Sequence, residues 1–152
     1  MKKFLFVLAL LIQSGLLFAQ THPKIWIRNN TACPVYFKLV LSQPHTGGGN
    51  CTPGPATGVL SVAPFTSIST YNYSTTPGIP SVPPGNVRAF LLASIISGPT
   101  SCPGITNQVI GQPCLVPLTT WTYNALNATC GSCSTVTATW SVSGGIIFLD
   151  FN

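Results

Sequence analysis

The chain has 152 residues, a net charge of +5 and a single acidic side chain, Asp150. That length holds one domain with a core of its own. One carboxylate beside two histidines excludes the paired acids of glycoside hydrolysis and the carboxylate shell of a calcium site.

The opening "MKKFLFVLALLIQSGLLFAQ" has the order of a secretory signal. Lys2 and Lys3 form a short positive segment, Phe4 to Ile12 is unbroken apolar chain, and Ala19 is a small residue before a cut. Gln13, Ser14 and Gly15 end the apolar run short of the roughly 18 residues that a membrane-spanning helix needs. We therefore expect a signal peptide over residues 1–19 and one secreted domain over 20–152. No cysteine follows the cut, so no lipid anchor on a new N-terminal Cys is expected, and no membrane anchor remains after cleavage. The basic residues of the domain (Lys24, Arg28, Lys38, Arg88) are scattered singly. Nucleic-acid binding needs them clustered, so it is not expected.

Strand patterns then follow one another. "KIWIRNN" opens the domain and stops at Asn29-Asn30. In "VYFKLVLS", Val35, Phe37, Leu39 and Leu41 alternate with Tyr36, Lys38, Val40 and Ser42, the period of a half-buried strand. "GVLSVAPF" is short and ends at Pro64, and "TSISTYNYST" puts Ser69, Tyr71 and Tyr73 on one face. "NVRAFLLASIIS" is apolar on both faces, with Arg88 at its start, and predicts a central strand; a buried helix is the alternative. "PLTTWTYNAL" places Trp121 and Tyr123 on one side. "STVTATWSVS" turns Val136, Ala138, Trp140 and Val142 inward and Thr135, Thr137, Thr139 and Ser141 outward. Gly144-Gly145 then predicts a two-residue type I′ turn into "IIFLDFN", since both glycines accept positive φ. The segments between are rich in Pro and Gly. The whole predicts an all-β fold, a single antiparallel β-sandwich of Greek-key or jelly-roll type with about seven or eight strands.

Six cysteines (Cys33, Cys51, Cys102, Cys114, Cys130, Cys133) lie in the exported part. An even count in an oxidising compartment predicts three disulfides. Cys130-Gly-Ser-Cys133 also has the spacing of a redox dithiol or of half a zinc site. A redox pair needs a helix N-terminus or a nearby cation to stabilise its thiolate, and here a β-branched alternating run follows. A zinc site wants a second such pair or two histidines. We expect both residues to be disulfide-bonded and inert, with separate partners, Cys114 for instance serving one of them.

Other candidates are weaker. His22 and His45 are expected to be solvated, and "HTGGGN" is expected to be a loop tip. The four Asn-x-Ser/Thr sites (Asn29, Asn50, Asn72, Asn127) are the chance yield of such a composition. Glycan sites combine aromatic faces with amide and hydroxyl groups and need little charge. Trp121 with Tyr123, and Tyr71 with Tyr73, are i, i+2 pairs able to form such a platform, although the reading preferred for each pair is that it fills the core or covers an open sheet face. Thr135, Thr137 and Thr139 form a hydroxyl row on one strand. The closing "GGIIFLDFN" resembles the end of chaperone-usher pilin subunits, and "IWIRNNTACPVYFKL" resembles the opening of thaumatin-like proteins; neither carries functional residues over. The expected function is a non-catalytic secreted interaction or structural module, located outside the cell, at its surface or in the periplasm. Its partner would be an extracellular protein or a glycan, with no cofactor and no metal. A carbohydrate-binding module and a surface adhesin or fibre subunit are the alternatives.

Overall fold

The alternating runs place their apolar residues in two five-stranded sheets. A computed structural model describes residues 22–46 and 51–152, so the expected signal peptide and the Gly-rich tip after Thr46 lie outside the described residues. The strands are β1 (Lys24–Asn29), β2 (Val35–Ser42), β3 (Pro53–Ala56), β4 (Leu60–Val62), β5 (Ser67–Asn72), β6 (Phe90–Ile96), β7 (Asn107–Gly111), β8 (Thr120–Leu126), β9 (Ser132–Ser143) and β10 (Ile146–Phe151). One sheet has the order β5-β1-β10-β9-β8. In the other, β3, β2, β6 and β7 are neighbours, and β4 joins the edge of β2 beside β3.

The all-β expectation holds. The count of seven or eight strands is corrected to ten among the described residues, and the wholly antiparallel expectation is corrected at one place. β1 pairs β10 in parallel, Ile25 beside Ile147 and Asn29 beside Phe151, so the first sheet is mixed. A parallel neighbour needs a crossover, and here nearly the whole domain lies between the two strands. The Gly144-Gly145 turn is as expected: both residues have positive φ, and Ser143 stands opposite Ile146. "NVRAFLLASIIS" supplies the central strand β6, between β2 and β7.

Buried side chains of both sheets form one cluster, including Ile25, Ile27, Phe37, Leu39, Ile95, Val136, Trp140, Leu149 and Phe151. The rings of Phe37 (β2) and Phe151 (β10) meet across the sheets with centroids 5.8 Å apart. Val142 departs from the inward expectation and is 40% exposed. β8 begins opposite Thr139, so no strand flanks the end of β9 on that side.

Three disulfides close the fold: Cys33–Cys133, Cys51–Cys114 and Cys102–Cys130. Cys130 and Cys133 thus bond to separate partners. Cys114 serves neither of them, because it faces Cys51 of the β2–β3 connection. Asn29 pins the β1–β2 turn: its amide donates to the carbonyls of Cys33, Val62 and Ala63, and its oxygen accepts from the Thr31 backbone and hydroxyl.

His22 is not the solvated residue expected. It is 4% exposed, and its carbonyl accepts from the Phe90 N–H, which ties the chain to β6 before β1 begins. Burial holds its imidazole below the ordinary value of 6.5, although a hydrogen bond to the Gly145 backbone pulls the other way. The unfolded chain therefore takes up the proton first. Stability from this group is present above pH 6.5 and is lost as pH falls through that value towards the lower folded pKa. Thermal melts between pH 7.5 and 5 should show the melting temperature falling, and His22→Gln should flatten that slope.

Candidate binding site

β8 is the outer strand of its sheet, and its hydrogen bonds decide which groups it leaves free. The Trp140 N–H donates to the Thr119 carbonyl, while Thr137 exchanges bonds with Asn152 on its other side. With Trp121 opposite Ala138 and Tyr123 opposite Val136, the odd-numbered residues of β8 turn their backbone to β9. The N–H and C=O groups of Thr120, Thr122 and Asn124 therefore project from the free edge.

That edge is tied to the second sheet at two points. The Gly111 N–H donates to the Leu118 carbonyl, and the Leu126 N–H donates to the Ser97 carbonyl at 2.7 Å. The second contact depends on Gly98, where an added Cβ would lie 2.7 Å from the Leu126 Cβ. Gly98→Ala is accordingly expected to push the end of β6 off β8 and to lower stability by about 1–3 kcal/mol, read from urea unfolding.

Beside the Ser97–Leu126 tie lies a slot of about 380 Å³, lined by Ser97, Gly104, Thr106, Trp121, Thr122, Tyr123, Asn124 and Leu126. None of these carries a charge. Cys102–Cys130 fastens the β6–β7 loop, which carries Gly104 and Thr106, to the β8–β9 turn. Cys51–Cys114 fastens the β7–β8 connection at the other end. A slot held this way is organised before any ligand arrives.

Trp121 and Tyr123 do not form a side-by-side exposed platform. Their rings stack, with centroids 4.5 Å apart and planes 16° apart. Tyr123 is 6% exposed and belongs to the core cluster; Trp121 is half-buried and packs against that cluster. The Tyr123 hydroxyl is buried and has no hydrogen-bond partner among the described residues. Burial pushes its pKa well above the ordinary value of 10, so it keeps its proton.

The second aromatic pair lies elsewhere. Tyr71 stands opposite Ile25 on β5, and Tyr73 lies in the turn beyond that strand. Both pack on the core cluster, and the Tyr73 hydroxyl donates to the Asn86 carbonyl. The two pairs are not brought together, since β5 and β8 are opposite edges of one sheet.

The outward face of that sheet carries more than the sequence suggested. Thr120 stands opposite Thr139, and Thr122 opposite Thr137 with hydroxyls 2.9 Å apart. Asn124 stands opposite Thr135 and accepts from its hydroxyl. The single row is thus a two-strand field of hydroxyl and amide groups. Two strands further on, Trp26 and Phe148 stack with centroids 5.9 Å apart, and Arg28 lies 5.3 Å over the Phe148 ring. Trp26 and Phe148 were not singled out from the sequence. The signal was there: "KIWIRNN" alternates, so Ile25 and Ile27 facing in set Trp26 and Arg28 facing out.

Asp150 accepts two bonds from Arg28, at 2.5 and 2.6 Å. His45 is not the solvated residue expected: its backbone forms a β-bridge with Val87, and both ring nitrogens are buried with no hydrogen-bond partner among the described residues. Among the described residues no three His, Cys, Asp or Glu side chains are grouped to hold a metal. No protein-family model, no curated protein and no solved structure matches this chain.

Proposed function

We propose that the chain is an exported, non-catalytic interaction module, built as a single β-sandwich and working by binding through uncharged surfaces. The observation that carries this reading is that no three His, Cys, Asp or Glu side chains are grouped among the described residues. The only acidic side chain, Asp150, is held by Arg28; His22 is buried; both ring nitrogens of His45 are enclosed; and the six cysteines are in disulfides. The sandwich reading draws on the shared core of the two sheets and on the Phe37–Phe151 contact across them. Export draws on the signal-like opening and on the three disulfides, which persist in oxidising compartments.

The contact surface is the outward face of the mixed sheet, where the Thr and Asn field of β8 and β9 adjoins the Trp26–Phe148–Arg28 cluster. Aromatic and Arg side chains supply binding energy at interfaces, and a field without charge imposes no salt-dependent partner choice. The partner is an extracellular protein or a surface glycan. To test this, the purified secreted domain is incubated with intact producing cells and the retained fraction measured. Thr137→Lys with Ser141→Lys should lower retention at least tenfold while melting stays unchanged, because both side chains point outward from β9. Retention that survives both charges removes the sheet face as the contact, and no retention of the unaltered domain removes the module reading itself.

A further inference from the structure

The slot between the β6–β7 loop and β8 adjoins the outward sheet face, sharing Thr122 and Asn124 with it, and its chemistry is more specific. Four features converge there. The wall holds no charged side chain. The Trp121 ring is half-buried, stacked on Tyr123 and lining the slot. The free edge of β8 turns the N–H and C=O groups of Thr122 and Asn124 towards it, beside the side chains of Asn124 and Thr106. Tyr123, more than nine-tenths buried, lines the slot and backs the Trp121 ring, while its hydroxyl is enclosed with no partner among the described residues.

These features select a class of ligand. Absence of charge selects against phosphates, carboxylates and cations. An aromatic ring among amide, hydroxyl and main-chain groups suits a molecule with one flat C–H face and polar groups around its rim. An extended peptide also pairs with a strand edge, but it must run on past both ends of its contact. Here the Ser97–Leu126 bond, whose two residues line the slot, closes one of those ends. The volume of about 380 Å³ is at the small end of ligand pockets. We propose that this slot binds a neutral saccharide of one or two rings, stacked on Trp121 and hydrogen-bonded by Asn124, Thr106 and the free main-chain groups of β8.

The test is a titration of the disulfide-intact secreted domain with a panel of methyl glycosides and disaccharides of glucose, galactose, mannose and N-acetylglucosamine. Binding is followed by calorimetry and by tryptophan fluorescence. Glucuronic acid and an uncharged hexapeptide serve as controls. At least one neutral sugar should bind and perturb the fluorescence, and the controls should not. Trp121→Ala should weaken binding at least tenfold. Because that change also uncovers Tyr123, two gentler variants accompany it. Asn124→Ala should weaken binding three- to tenfold with unchanged melting. Tyr123→Phe, which keeps the ring and removes only the enclosed hydroxyl, should leave binding unchanged. Binding by none of the sugars, binding indifferent to Asn124→Ala, or preference for the acid or the peptide would each overturn the proposal. Ser141 stands opposite Phe148 and does not line the slot, so Ser141→Lys alone should bind the sugar normally, and failure of this site and failure of the sheet-face reading are separable.

Discussion

Replacing Cys33 and Cys133 together by serine is expected to cost about 4–5 kcal/mol, the largest loss of the three disulfide pairs. Their separation is 100 residues, against 63 for Cys51–Cys114 and 28 for Cys102–Cys130. Cross-links act mainly by restricting the unfolded chain, and the chain-entropy model gives about 4.7, 4.3 and 3.6 kcal/mol for loops of these lengths. Burial sharpens the order, since Cys33 is fully buried and a serine there would need a new partner. The bridge also spans the fold, joining the turn before β2 to a strand of the other sheet. Full reduction removes all three restraints, a total comparable with the about 5–15 kcal/mol by which domains are stable. Urea unfolding of the three double-serine variants, and of the reduced parent, reads both effects. A different order, or a reduced chain that melts like the oxidised one, would show that the loops contribute little. The shortest loop has another consequence. Cys102–Cys130 fastens the slot, so Cys102→Ser with Cys130→Ser should lose least stability.

How much of this was legible depended on range along the chain. "STVTATWSVS" and Gly144-Gly145 specify β9, its inward face and the turn to β10, because alternation and positive φ are local properties. β3 and β7 were not legible. "PGPA" holds two prolines, and it makes a strand only because the end of β2 offers it an edge. "NQVIG" is short and mostly polar, and β6 alone recruits it. Strand order was invisible as well. Nothing in "KIWIRN" and "IIFLDF" says that they pair with each other, let alone in parallel, since each pattern records its own faces and not its neighbours. The candidate site suffered for the same reason. Trp121 and Tyr123 were visible as a pair, but the slot beside them exists because β8 is an outer strand and because Ser97 comes from the other sheet. His22 looked like a tail residue, and only its bond with Phe90 shows that the chain is already anchored there.

Phe37→Ala and Phe151→Ala should each cost about 3–5 kcal/mol, the range for deleting a fully buried aromatic ring. The second is the more informative. Phe151 is the penultimate residue, and chain ends are commonly frayed and tolerant of change. Here the end is held on several sides. β10 lies between β1 and β9; the Phe151 carbonyl accepts from the Asn30 N–H; and Asn152 exchanges backbone bonds with Thr137. Across the core, the Phe151 ring meets Phe37 of the other sheet. Loss of the ring leaves a cavity that these restraints prevent from collapsing, which places the cost at the upper end of the range. The two substitutions share that cavity, so their effects should not add. Aromatic pairs couple by about 0.5–1.5 kcal/mol beyond their burial, and the double variant should fall short of the sum by about that much. Chemical unfolding of the two single variants and the double variant measures the coupling. Strict additivity would mean that the sheets do not share this contact, and a Phe151→Ala cost below about 1 kcal/mol would mean that the parallel β1–β10 pairing is frayed at its end.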